Sequence, residues 1–126
     1  MRRSDQRRAA VFALYQSDVR GREPADQLDE NATPFTRELV EGTATHGDEL
    51  DELIARHSRG WSLDRIAPLE RNIMRVALYE LLHRPDVPAE VAIDEAVEAA
   101  KELCSADAPA FVNGILGAVE REEVHS

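Results

Sequence analysis

Arg2, Arg3, Arg7 and Arg8 fall within the first eight residues, in the stretch MRRSDQRRAAVFALYQSD. Guanidinium groups at such density bind phosphates. Arg3 and Arg7 are four apart and share one helical face, and Tyr15 lies eight residues further on, near the same face. A cationic track that ends in an aromatic ring suits single-stranded RNA, whose phosphates take the guanidiniums and whose bases stack on the ring. The same spacing also suits a half-buried core tyrosine. Phe111, in FVNGIL, is a second ring at the edge of an apolar stripe. Gly114 beside it interrupts a helical pattern at a cost of about 1 kcal/mol against alanine, so close packing of another helix, or close approach of a ligand, is expected there.

Enzyme chemistry finds little support. Cys104 falls on a helical stripe with Ile93, Val97 and Ala100 and is expected to be a buried thiol rather than a nucleophile. His46 and His57 are eleven apart, roughly 16 Å along one helix, too far to share a metal. The sequence contains no HExxH, no CxxC and no phosphate-cradling glycine loop. No cofactor, metal or catalytic residue is expected.

Charge is distributed unevenly. Up to Arg22 there are six arginines against two aspartates, a balance of +4. From Glu23 onward nine basic residues face 23 acidic ones, a balance of −14, within a net charge of −10. This asymmetry points to an anion-binding end on an acidic body. A chain of 126 residues makes about one domain. The longest apolar run, Ala9 to Tyr15, is too short for a membrane span. With one cysteine, no internal disulfide forms, and a reducing cytoplasm fits.

The elements that position these residues are helical throughout. A first helix is expected from a Ser4 cap to about Val19, ended by Gly21 and Pro24. Thr33-Pro34 starts a second, with a break around residues 43 to 46. Leu50, Leu53, Ile54 and His57 mark a third, stopped by Gly60. Ser62 caps a short turn into Pro68, where a long central helix runs to about His83. A fifth covers about Ala89 to Cys104. The last opens near Asp107 and buries Val112, Ile115, Leu116 and Val119. The result is an all-α bundle of six to seven helices in a single domain, 1-126, with helical subdomains of about 1-60 and 61-126 packed as one unit.

Three segments together resemble the bacterial transcription antitermination factor NusB family. MRRSDQRRAAVFALYQSD is similar to its first helix, PLERNIMRVALYELLHRPDVPAEVAIDEAVEAAKEL to its central block, and DAPAFVNGIL to its closing signature. FTRELVEGTATHGDELDELI fits its second and third helices. The resemblance implies two perpendicular three-helix bundles. It also implies a protein that pairs with the ribosomal protein NusE, binds a boxA-type element of nascent ribosomal RNA, and keeps RNA polymerase from terminating early. Matched position by position, Arg3, Arg7, Arg8, Tyr15, Lys101, Asp107 and Phe111 would meet RNA, and Asp64 and Glu70 the basic ribosomal partner. Ser4 and Asp5 interrupt the basic start, so RNA affinity without the partner is expected to be low. The resemblance leaves open whether the free protein forms a homodimer through its RNA face. Two alternatives stand beside it: an RNA-binding module like that preceding ribosomal RNA cytosine methyltransferases, and a self-associating helical protein.

Overall fold

The computed structural model describes residues 1–124 and shows six α-helices with no strand among them. They are α1 (Arg3–Arg20), α2 (Pro34–Thr45), α3 (Gly47–His57), α4 (Pro68–His83), α5 (Ala89–Leu103) and α6 (Ala108–Val119). Short 3-10 turns at Pro24–Gln27 and Leu63–Arg65 join α1 to α2 and α3 to α4, and a π-type turn, Glu120–Val124, continues α6. The all-α expectation therefore holds; most element ends lie within one or two residues of those read from the sequence, but α2 runs through most of the expected break to Thr45, and α3 ends at His57, short of Gly60.

Caps differ in detail. Thr33 caps α2 as expected, its hydroxyl accepting from the Thr36 amide at 3.2 Å, with Pro34 in the first turn. Ser4 does not cap α1. Arg2 occupies the capping position without a side-chain bond, while Ser4 lies inside the helix and donates to Glu95 on α5 at 2.8 Å.

Helix α4 is the core of the molecule and packs on α1, α2, α3, α5 and α6. Its residues Asn72 to Met74 and Val76 to Glu80 are all buried, which explains why its apolar pattern runs around more than one side. Leu39, Leu50, Ile54, Met74, Leu78, Leu116 and Val119 are fully enclosed in a core to which all six helices contribute. Each such side chain contributes about 1.5–3 kcal/mol. On α5 the buried face is rotated from the expected stripe. Ala92, Ile93, Ala96, Ala99 and Ala100 are buried, whereas Val97 and Cys104 are only partly covered. Small alanines let α5 lie close to both α4 and α6, and this closeness, rather than side-chain bulk, selects the face.

Gly42 shows the same logic at one atom. A Cβ there would come within about 2.2–2.5 Å of Cζ, Cε1 and Oη of Tyr79, so glycine is what lets α2 cross α4 at that point. Gly114 does not match its expected packing role, because a Cβ there meets nothing within 4 Å.

Candidate nucleic-acid interface

The opening helix divides its charged residues between two faces. At about 100° per residue, Tyr15 is displaced by about 20° from Arg8 but by about 80° from Arg7. Arg7 accordingly lies on the inner stripe with Ala10, Val11 and Leu14, and is 8% exposed. Its Nε and Nη2 donate to the two Glu80 oxygens at 2.8 and 2.9 Å, and Nη1 lies 4.0 Å from Glu95. Burial alone would lower the Arg7 pKa, but the Glu80 hydrogen bond and the charges of Glu80 and Glu95 outweigh it and raise it. The expectation of Arg7 on an outward arginine track is therefore corrected: this guanidinium joins α1 to α4.

Arg8, Phe12, Tyr15 and Val19 make the outer stripe. Phe12 and Val19 are exposed and Tyr15 is half-buried. Arg8 donates to Glu102 at 2.9 Å, which brings the start of α1 to the end of α5, next to Lys101. Lys101 is exposed and pairs with Glu98 at 3.2 Å, a surface contact of little energetic weight. Arg3 is exposed and makes no ion pair within 4.0 Å among the described residues, although, after the Arg84 hydrogen bond, its charge helps to lower the Asp86 pKa. Its guanidinium sits 4.1 Å above the Phe35 ring, where Arg7 and Arg84 also approach, at 5.4 and 5.2 Å.

The far end of α1 is anchored too. Asp18 Oδ2 accepts from Arg71 Nε at 2.8 Å, Asn72 Nδ2 at 2.9 Å and Arg75 Nη1 at 3.0 Å. Arg75 extends the cluster to α3, donating to both oxygens of Asp51 at 2.6 and 3.0 Å. Burial raises the Asp18 pKa, but the bonds from Arg71 and Asn72 and the neighbouring guanidinium charges reverse that and hold it below the ordinary carboxylate range.

A second group of residues gathers where the α3–α4 connection meets α6. Asp107, the capping residue of α6, and Phe111, one turn on, line a surface cleft of about 320 Å³ with Trp61, Arg65 and Glu70. Trp61 and Phe111 also border a neighbouring cleft of about 690 Å³, with Arg56, Arg59, Gly114 and Arg121. The two rings thus form a wall between the clefts. Trp61 is 55% exposed and Phe111 half-buried. Arg59 and Gly60 both adopt left-handed backbone, φ 50° and 92°, which turns the chain sharply just before Trp61. Among the described residues Arg59, Arg65 and Arg121 have no carboxylate partner, so three guanidiniums stand free around two accessible rings. Arg56, by contrast, is held by Glu52 and Glu123 at 2.7 and 2.6 Å.

Glu70, in the first turn of α4, is half-buried, and burial raises its pKa. Burial also raises the Cys104 pKa, with the Glu70 charge adding to it, which disfavours the thiolate of this half-buried cysteine. Asp64 is exposed on the 3-10 turn, next to Arg65. The structure therefore brings together Asp107, Phe111 and Glu70 in one cleft, and Arg8 with the neighbourhood of Lys101. Sequence reading missed Trp61, Arg59, Arg65, Arg121 and Phe12. Trp61 left a signal in the string RGWSLDR, where the chain's one tryptophan sits among turn and charged residues that offer it no apolar stripe.

The NusB family model matches residues 4–121. A transcription antitermination protein NusB from Symbiobacterium thermophilum is 42% identical, across 96% of this chain and 90% of that protein. Among solved structures, T. maritima NusB superposes with a TM-score of 0.88 at 36% identity, covering 97% of this chain and 92% of the other. A NusB chain in a crystal structure of antitermination factors NusB and NusE in complex with dsRNA matches with a TM-score of 0.84 at 27% identity, covering 94% of this chain and 96% of that one.

Proposed function

The chain belongs to the NusB family, and from that membership we propose that it is a transcription antitermination factor of the cytoplasm, a binding protein without enzymatic activity. It binds a boxA-type single-stranded element of nascent ribosomal RNA jointly with NusE, within the antitermination complex of RNA polymerase. The relatives it matches carry antitermination names, so the methyltransferase module is not favoured.

The observation that supports this reading most is the wall of Trp61 and Phe111 with Arg59, Arg65 and Arg121 around it, none of them paired with a carboxylate among the described residues, on a body of net charge −10. Bases stack on the rings while phosphates meet the guanidiniums. Arg3, Arg8, Tyr15 and Lys101, along α1 and the end of α5, supply further contacts, and Asp107 offers a carboxylate to base amino groups or ribose hydroxyls. Arg7 contributes by holding α1 in place. Asp64 and Glu70 face the basic ribosomal protein, where opposite charge speeds encounter and sets orientation.

Fluorescence anisotropy with a short boxA-type RNA, measured with and without NusE, tests the proposal. Joint binding is expected to be tighter than binding by either protein alone, and to prefer the single strand over a duplex of the same sequence. Absence of RNA affinity in both conditions, or equal affinity for the duplex, would overturn it.

A further inference from the structure

A cluster on the side of α4 has no part in this reading. His46 sits at the junction between α2 and α3, Glu49 in the first turn of α3, and His83 in the last turn of α4. Glu49 Oε1 lies 2.8 Å from His83 Nε2 and 3.7 Å from His46 Nδ1. The two imidazole rings stack, with centroids 3.8 Å apart and planes inclined by 18°. One ligand atom from each of the three residues falls within 4.8 Å of the others. The contact from His46 Nδ1 is too long for a hydrogen bond, and among the described residues this nitrogen has no other hydrogen-bond partner. The α2–α3 junction and the end of α4 thus bring three donors near one another, with His46 Nδ1 unused; because an imidazole lone pair lies in the ring plane, one of the two stacked rings must turn out of the stack for both to face a common ion.

We propose that His46, Glu49 and His83 form a binding site for a divalent transition metal ion of the zinc class. Two imidazoles and one carboxylate are a recurrent donor set for zinc, with bonds of about 2.0–2.2 Å. In a tetrahedral site such bonds put donors about 3.3 Å apart; Glu49 Oε1 lies 2.8 and 3.7 Å from the two imidazole nitrogens, and all three donors lie within 4.8 Å of one another. Glu49 is half exposed and free to adjust. The Tyr79 ring, 5.7 Å from His83 and 6.0 Å from His46, walls one side, and its hydroxyl is held by Glu38 at 2.9 Å. The other side is open, which leaves the fourth position to water. The nitrogen donors select against magnesium and calcium, which take oxygen ligands. A bound ion would tie the α2–α3 junction to the end of α4, and so stabilise the fold by linkage.

The test is isothermal titration of the chelator-treated full chain with Zn2+, and separately with Mg2+. One Zn2+ per chain is expected, at micromolar affinity or tighter, with no Mg2+ uptake. Affinity should fall at least tenfold in His83→Ala and in Glu49→Gln, and stay unchanged in His57→Ala. Glu49→Gln alters a half-exposed side chain, so its folding, checked by circular dichroism, keeps the experiment decisive. Zn2+ should also raise the melting temperature of the unaltered chain and leave that of His83→Ala where it was. Absence of saturable Zn2+ uptake, uptake equally tight in both site variants, or equal affinity for Mg2+ would overturn the site.

Discussion

Arg7 and Glu80 form a buried two-bond ion pair between α1 and α4, with 10% and 1% of their side chains exposed. Removing one member leaves the other charged and buried, at a cost of about 3–5 kcal/mol. Arg7→Ala and Glu80→Ala should therefore lower unfolding free energy by similar amounts in urea titrations. An Arg7→Ala protein of unchanged stability but lost RNA binding would show that Arg7 meets RNA directly.

The Asp18 cluster predicts acid sensitivity. Its folded pKa lies below the unfolded value of about 3.9. The sign is fixed by linkage: the stabilisation is fully present above about pH 4 and is lost as pH falls through the depressed folded value. Asp18→Asn should cost about 1–3 kcal/mol at pH 7, and should flatten the fall in stability below pH 4. Urea midpoints measured across that acid range read both effects.

Two glycines should respond with opposite signs. Alanine favours a helix over glycine by about 1 kcal/mol. At Gly114, where added bulk meets nothing, Gly114→Ala should raise the melting temperature. At Gly42 the Tyr79 ring occupies the space, so Gly42→Ala should destabilise by about 1–3 kcal/mol through overpacking. If Gly114→Ala also weakens RNA binding despite its added stability, ligand lies against that face.

Loss of a ring should be felt in RNA affinity. Each stacked base contributes about 1–3 kcal/mol, so Trp61→Ala and Phe111→Ala should each weaken boxA-type binding by roughly 5- to 150-fold. Arg59→Ala and Arg65→Ala should instead reduce the slope of log affinity against log salt by about one counterion apiece. Anisotropy titrations at several salt concentrations separate the two kinds of contribution.

The helices were legible because their signals are local. The Thr33-Pro34 start, the long apolar pattern of α4 and the Val112, Ile115, Leu116, Val119 stripe needed no tertiary knowledge. What failed needed a partner helix. Ile93, Val97, Ala100 and Cys104 make a plausible stripe, yet close contact with two neighbours turns the alanines inward instead. Arg7 looks identical to Arg8 in sequence, and only the 100° between them sends one to Glu80 on α4 and the other to Glu102 on α5. In sequence the histidine nearest to His46 is His57, eleven residues away, whereas its ring companion is His83 on another helix. Trp61 stands in a turn, where periodicity says nothing of exposure.

The ties on α1 carry a sense of direction. Arg7 and Asp18 are eleven residues apart, about three turns, and so face the same way. Their partners on α4 run in reverse order, Glu80 late, Arg71 early and Arg75 midway. Laid the other way round, α1 would set cation against cation at one end and carboxylate against carboxylate at the other. The polarity of the helix pair is thus written in two inward-facing charges, and a single residue inserted between them would swing one off its mate.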